Sequence, residues 1–179
     1  MTVRIFDPTI EAKGRKIAYA QRPKSLAGLR VGLVDNSKHN SDQLLMRIAG
    51  LLEREHGAKA HVMRRKKSAG IPASPEIIAE FKTQCDVVVA GVGDLGSCSS
   101  GSVLDSIVLE QQGMPTASII TDVFMRTGEA MARSWGLKDF KFLAMPHPIA
   151  NLTDEELDSR ARDITPQVVK LLLEGQSTH

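Results

Sequence analysis

The sequence predicts a single α/β domain built on a doubly wound, five-stranded parallel sheet of order 2-1-3-4-5. Three observations carry this. Short apolar runs alternate with helically spaced apolar residues along most of the chain. The run Asp86-Val87-Val88-Val89-Ala90-Gly91 is unbroken, as in a strand covered on both faces. At 179 residues with 42% apolar content, the chain suits one core and is short for two. Strands that alternate with helices form right-handed βαβ units, and 2-1-3-4-5 is a common order for five of them.

The elements follow in order. Residues 1–28 lack periodicity and are predicted as an extended arm, with Arg4, Lys13, Arg15, Lys16, Arg22 and Lys24 set against Asp7 and Glu11. The arm is expected either to wrap a neighbouring surface, in this domain or in a second subunit of a homo- or hetero-oligomer, or to be a partly ordered tail. Residues 29–179 form the α/β domain. The first strand is Arg30-Val31-Gly32-Leu33-Val34, ending at Asp35-Asn36-Ser37. Leu44, Ile48, Leu51 and Leu52 then recur at helical spacing, behind capping candidates Asn40 and Ser41 and before the stop at Gly57. Ala58 to Met63 reads as strand two, followed by the basic run Arg64-Arg65-Lys66-Lys67; Ser74-Pro75 opens the next helix. After the central strand come a helix from Ser102 to Gln112, a strand from Thr116 to Ile120, a helix from Asp122 to Trp135 and a strand from Phe140 to Ala144. Thr153-Asp154-Glu155-Glu156 is a capping box for the last helix, which Pro166 is expected to break or restart.

Composition excludes several partners. The 23 basic and 21 acidic side chains leave a charge of +2, so no global field points to nucleic acid or anionic lipid. No apolar run reaches the roughly 18 residues of a membrane span, and no secretory signal is evident, so a cytoplasmic protein is expected. Cys85 and Cys98 are too few for a disulfide scaffold. His39, His56, His61, His147 and His179 show no metal-ligand spacing, and no metal or resident cofactor is expected.

In this topology ligands bind where the strand order reverses, at the carboxyl ends of strands 1 and 3. Strand 1 leads into Asp35, Asn36 and Ser37, and strand 3 into the loop from Gly91 to Ser102, which holds Asp94, Gly96, Ser97, Cys98, Ser99 and Ser100. The glycines permit tight turns, and the serines with free amides suit an oxyanion at a helix start. Cys98 is the strong nucleophile there, and a helix N-terminus stabilises a thiolate; the plainer alternative is a small residue packed in a tight loop. Cys85, just before a buried strand, is expected to be inert. His147, between Pro146 and Pro148, faces the same rim as an acid or base, or as a structural turn residue. Asp35 and Asp94 read equally as substrate-binding or proton-transferring carboxylates and as turn caps; Thr121-Asp122 has the same two readings, helix capping being the commoner. The basic run 64–67 is either a solvated edge or a lure for an anionic substrate.

Gly93-Asp94-Leu95-Gly96-Ser97-Cys98-Ser99, with Val103-Leu104-Asp105 and Glu110-Gln111-Gln112-Gly113-Met114-Pro115-Thr116 after it, resembles the UGSC family of bacterial proteins and selenoproteins. Arg30 to Asn36, Met131-Ala132-Arg133 with Gly136-Leu137, and Pro146-His147-Pro148-Ile149 extend the resemblance over 29–149. The family's motif is selenocysteine, cysteine or threonine followed by Gly-Ser-Cys, which falls here on Gly96, Ser97 and Cys98. Its distant similarity to selenoprotein subunits of glycine-type reductases implies thiol chemistry on a small molecule, as an oxidoreductase-like enzyme or a lyase. The first motif position is Leu95, which cannot pair with Cys98, so a two-thiol cycle within this loop is excluded. There remain a lone Cys98 thiolate, a cycle completed by an external thiol donor, and a non-catalytic subunit of a hetero-oligomer. A flavodoxin-like module binding phosphate, nucleotide or flavin is the alternative class; an aromatic content of 4% disfavours flavin.

Overall fold

The computed structural model describes residues 17–59 and 61–176. Five parallel strands, β1 (Val31–Asp35), β2 (His61–Arg65), β3 (Val87–Gly93), β4 (Thr116–Thr121) and β5 (Leu143–Met145), form one sheet in the order β2-β1-β3-β4-β5. The helices are α1 (Ser41–His56), α2 (Pro75–Gln84), α3 (Gly96–Gln111), α4 (Met125–Ser134) and α5 (Asp154–Glu174). Every residue of β1, β3 and β4 is buried, because helices cover both faces. On one face Leu44 and Ile48 of α1 and Ile164 and Val168 of α5 pack against Leu33, Val89 and Ile119. On the other, Phe81 of α2 joins Val34 and Val88, and Ile107 of α3 joins Ile120 and Ala132. Among the described residues, no helix is long and apolar enough to cross a membrane.

Several boundaries depart from the sequence pattern for identifiable reasons. Strand β2 runs on to Arg64 and Arg65, whose guanidinium groups meet Glu80 and Asp35 beside the strand. Arg64, Arg65 and Lys67 are exposed along this edge, and Lys66 alone of the run is buried. Helix α3 starts at Gly96, six residues before Ser102, so Cys98 lies in its first turn. Asn40 occupies the N-cap of α1 without a side-chain cap bond, and Ser41 is the first helical residue. Asn40 Nδ2 instead donates to the carbonyls of Ile149 (2.9 Å) and Leu152 (3.2 Å), and Ser41 Oγ donates to Gly91 O and accepts from Val92 N. Thr153 and Glu156 do form the capping box of α5. Pro166 does not break that helix: Leu157, Ala161, Ile164, Val168, Leu171 and Leu172 form one buried face through it, while Pro166 itself is exposed. A short 3-10 turn over Asp122–Phe124 leads into α4.

Residues 17–28 form neither helix nor strand and run along their own domain. Glu110 Oε2 accepts from Ala20 N (3.0 Å), and Glu110 Oε1 accepts from Arg22 Nη2 (2.6 Å) and Thr116 N (2.9 Å). This part of the arm therefore wraps the domain that carries it. The rest, residues 1–16, lies outside the described residues.

Candidate active site

The carboxyl ends of β3, β4 and β5 bring together side chains from three loops. Asp94 follows β3, Thr121 ends β4 with Asp122 after it, and His147 follows β5. His147 Nδ1 stands 2.9 Å from Asp94 Oδ1 and 3.1 Å from Thr121 Oγ1. Asp94 Oδ2 accepts from Ile149 N (3.2 Å), Asp122 Oδ1 accepts from His147 N (3.2 Å), and Thr121 Oγ1 donates to Gly93 O (3.3 Å). These contacts fix both ends of the turn that carries the imidazole. The Phe124 ring meets the imidazole edge-on at 5.6 Å.

The proton on the imidazole is placed by its neighbours. Thr121 spends its hydroxyl proton on Gly93, so its lone pair faces Nδ1, and the Asp94 carboxylate lies beside Nδ1 as an ion-pair partner whose Oδ1 has no hydrogen bond among the described residues. Nδ1 therefore carries the hydrogen of the neutral ring and Nε2 the lone pair. The Asp94 side chain is 7% exposed and that of His147 32%, an anchored base at a solvent edge.

The strand 1 and strand 3 loops meet behind this pair. Asn36 Nδ2 donates to Cys98 O (2.8 Å) and Ser102 Oγ (2.6 Å), which ties β1 to the first turns of α3. Gly93 has Ser99 against it: a Cβ there would stand 2.5 Å from the Ser99 Cα, so a larger residue would push α3 off the sheet. Cys98 is 1% exposed, as is Asn36, and Ser99 is wholly buried. Ser97 is exposed, and Gly96 and Ser100 are half-buried. Asp35 is wholly buried, its carboxylate held by Arg65 Nε (2.5 Å) and Ser37 N (3.0 Å); Ser37 itself is exposed. The fold thus gathers Asp94, Asp122 and His147 on one side and Asn36 with Cys98 on the other, and gives Asp35 to an ion pair. Thr121, read with Asp122 as a helix cap or a site residue, makes no side-chain cap bond and contacts the histidine.

One part of the site gave no signal in the sequence. Lys66 Nζ pairs with Asp105 Oδ2 at 2.7 Å, both side chains 1% exposed, and Asp105 Oδ1 accepts from Ala73 N (2.6 Å). The pair pins the segment from Lys66 to Ala73 onto α3. A Cβ on Gly101 would stand 2.1 Å from Ala69 O, and one on Gly70 3.4 Å from the Ser97 Cβ. Burial pushes the Asp105 carboxyl up to about 6 against the pull of Lys66.

Burial also pushes the Cys85 thiol up to about 11. In the folded protein at pH 8, Cys85 is expected to take up no iodoacetamide over a time in which denatured chain is fully modified, as read by mass spectrometry. A surface hollow of about 490 Å³ lies elsewhere, between α1 and α5, lined by Met46, Arg54 and Arg162 among others. It holds no histidine or cysteine. Compared with known proteins, the chain matches the model of the UGSC family over residues 4–174, and no curated protein matches it.

Proposed function

The chain belongs to the UGSC family, and we propose that it is an enzyme acting on a small organic substrate at the carboxyl edge of β3, β4 and β5, with His147 as general acid and base. The observation that carries this reading is the contact of His147 Nδ1 with Asp94 and Thr121, which directs Nε2 to the substrate as a base when neutral and an acid once protonated. Asp94 and Thr121 orient the ring, and Asp122 holds the backbone beneath it. Lytic cleavage of a carbon–heteroatom bond or a group transfer both need such a group. Reductive cleavage would draw its electrons from an external thiol donor. The two free cysteines suit a reducing, cytoplasmic compartment.

A second reading makes Cys98 the covalent nucleophile, favoured by its place in the first turn of α3, where backbone N–H groups stabilise negative charge. Because Cys98 is 1% exposed, attack requires the residues that cover its thiol to move aside. The experiment is turnover of a panel of β-substituted carbonyl compounds and thioesters, followed by NMR, in wild type, His147→Ala and Cys98→Ala. Loss in His147→Ala with activity kept in Cys98→Ala supports the acid–base reading alone. Loss in both supports the covalent route, and full activity in His147→Ala contradicts the proposal.

A further inference from the structure

Asn40 stands at the N-cap of α1 with φ 67° and ψ −4°, in the left-handed region that asparagine tolerates better than most residues with a side chain. A capping asparagine has an extended backbone and accepts from the first N–H groups of its helix. Asn40 does neither. Its Nδ2 donates to the carbonyls of Ile149 (2.9 Å), Leu152 (3.2 Å) and Ala150 (3.3 Å), so two N–H groups are shared among three acceptors of one turn. That turn follows directly on His147 and Pro148. Ile149 is wholly buried, and its peptide groups are held on both sides, the N–H by Asp94 Oδ2 (3.2 Å) and the carbonyl by Asn40. The next residue anchors Asn40 in turn. Ser41, wholly buried, donates through Oγ to Gly91 O (3.0 Å) and accepts from Val92 N (2.8 Å), where β3 shifts register against β4 just before Gly93 and Asp94. The start of α1 is thus fixed to the strand that delivers Asp94, and from there Asn40 reaches the turn that carries His147.

We infer that Asn40 is a positioning residue for His147, which keeps the imidazole against Asp94 by clamping residues 149–152 to the start of α1. This rests on the acid–base reading above and adds to it the residue that joins the two loops of the pair. Without the amide, the turn keeps its contacts to Asp94 and Asp122 but loses the tie on its carbonyl side. The imidazole then drifts from the acceptors at Nδ1, and a misplacement of about 1 Å at such a group costs on the order of 10²-fold in rate.

The test follows the His147 ring of the full chain by long-range ¹⁵N–¹H NMR, with turnover of the panel above as the second readout. Asn40→Gly keeps the left-handed backbone and removes the donors. Asn40→Asp keeps the size and suits an N-cap but cannot donate, so it covers the case in which the glycine variant fails to fold. Both should move the neutral ring toward the tautomer with hydrogen on Nε2, and lower kcat about 10- to 100-fold with KM changed by less than about twofold. Ile48→Val, which loosens α1 at its buried face, should lower the melting temperature and leave ring signals and kcat as in wild type. Wild-type ring signals and kcat in both Asn40 variants, or the same ring shift in Ile48→Val, overturn the inference. If His147→Ala abolishes turnover while the Asn40 variants behave as wild type, the positioning role falls and the acid–base reading stands. If the ring signals move in the Asn40 variants while His147→Ala keeps full turnover, Asn40 positions the histidine and the acid–base reading falls.

Discussion

Asp105→Asn is expected to destabilise the fold by about 3–5 kcal/mol, a large share of the roughly 5–15 kcal/mol that holds a domain of this kind together. The substitution keeps an acceptor for Ala73 N but strands the Lys66 ammonium, whose side chain is 1% exposed, without its carboxylate. The double variant Lys66→Met with Asp105→Asn should recover part of the loss, because it removes the stranded charge. Chemical unfolding followed by circular dichroism measures both, and a double variant no better than Asp105→Asn would show that the pair is not coupled.

The largest functional effect is expected at His147. Removing a positioned acid–base group lowers turnover by about 10²–10⁴-fold, and His147→Ala should fall in that range with the fold intact, because the side chain is at the solvent edge. Asp94→Asn should approach the same loss by a different route. An amide donor facing Nδ1 favours the tautomer with hydrogen on Nε2, which leaves the ring without a lone pair toward the substrate. Thr121→Val should cost less, since Asp94 still faces Nδ1. Measured as kcat at saturating substrate, the order His147→Ala, Asp94→Asn, Thr121→Val is the expected sequence of losses.

The strand order and the alternation of elements were readable because buried parallel strands leave unbroken apolar runs, such as Val87 to Ala90, between helices with a 3.6-residue repeat. Boundaries were less readable where tertiary contacts override local preference. Gly96 to Gly101 has the composition of a loop, yet it is helical because Gly93 and Gly101 allow the close approach of Ser99 and Ala69, and Asn36 binds Cys98 O. Asp94 and His147 could each be named from the strand ends. Their contact could not, because nothing in the spacing of residues 94 and 147 says that the two loops touch. Thr121 carried two signals, since a threonine before a helix reads more often as a cap than as a site residue, and here its hydroxyl turns back to Gly93. The Lys66–Asp105 pair was hidden in two ordinary contexts, a run of basic residues and the middle of a helix. Only the fold shows both ends buried.

On the proposed acid–base reading, Asp94 and Thr121 hold the hydrogen of His147 on Nδ1 and leave Nε2 as the base. The most direct test is a long-range ¹⁵N–¹H correlation spectrum of the wild-type protein above the pH at which His147 loses its second proton, with His147→Ala identifying the signals. A neutral ring with its hydrogen on Nδ1, shifted toward the other tautomer in Asp94→Asn, is the predicted result. A neutral wild-type ring with its hydrogen on Nε2 would contradict the account.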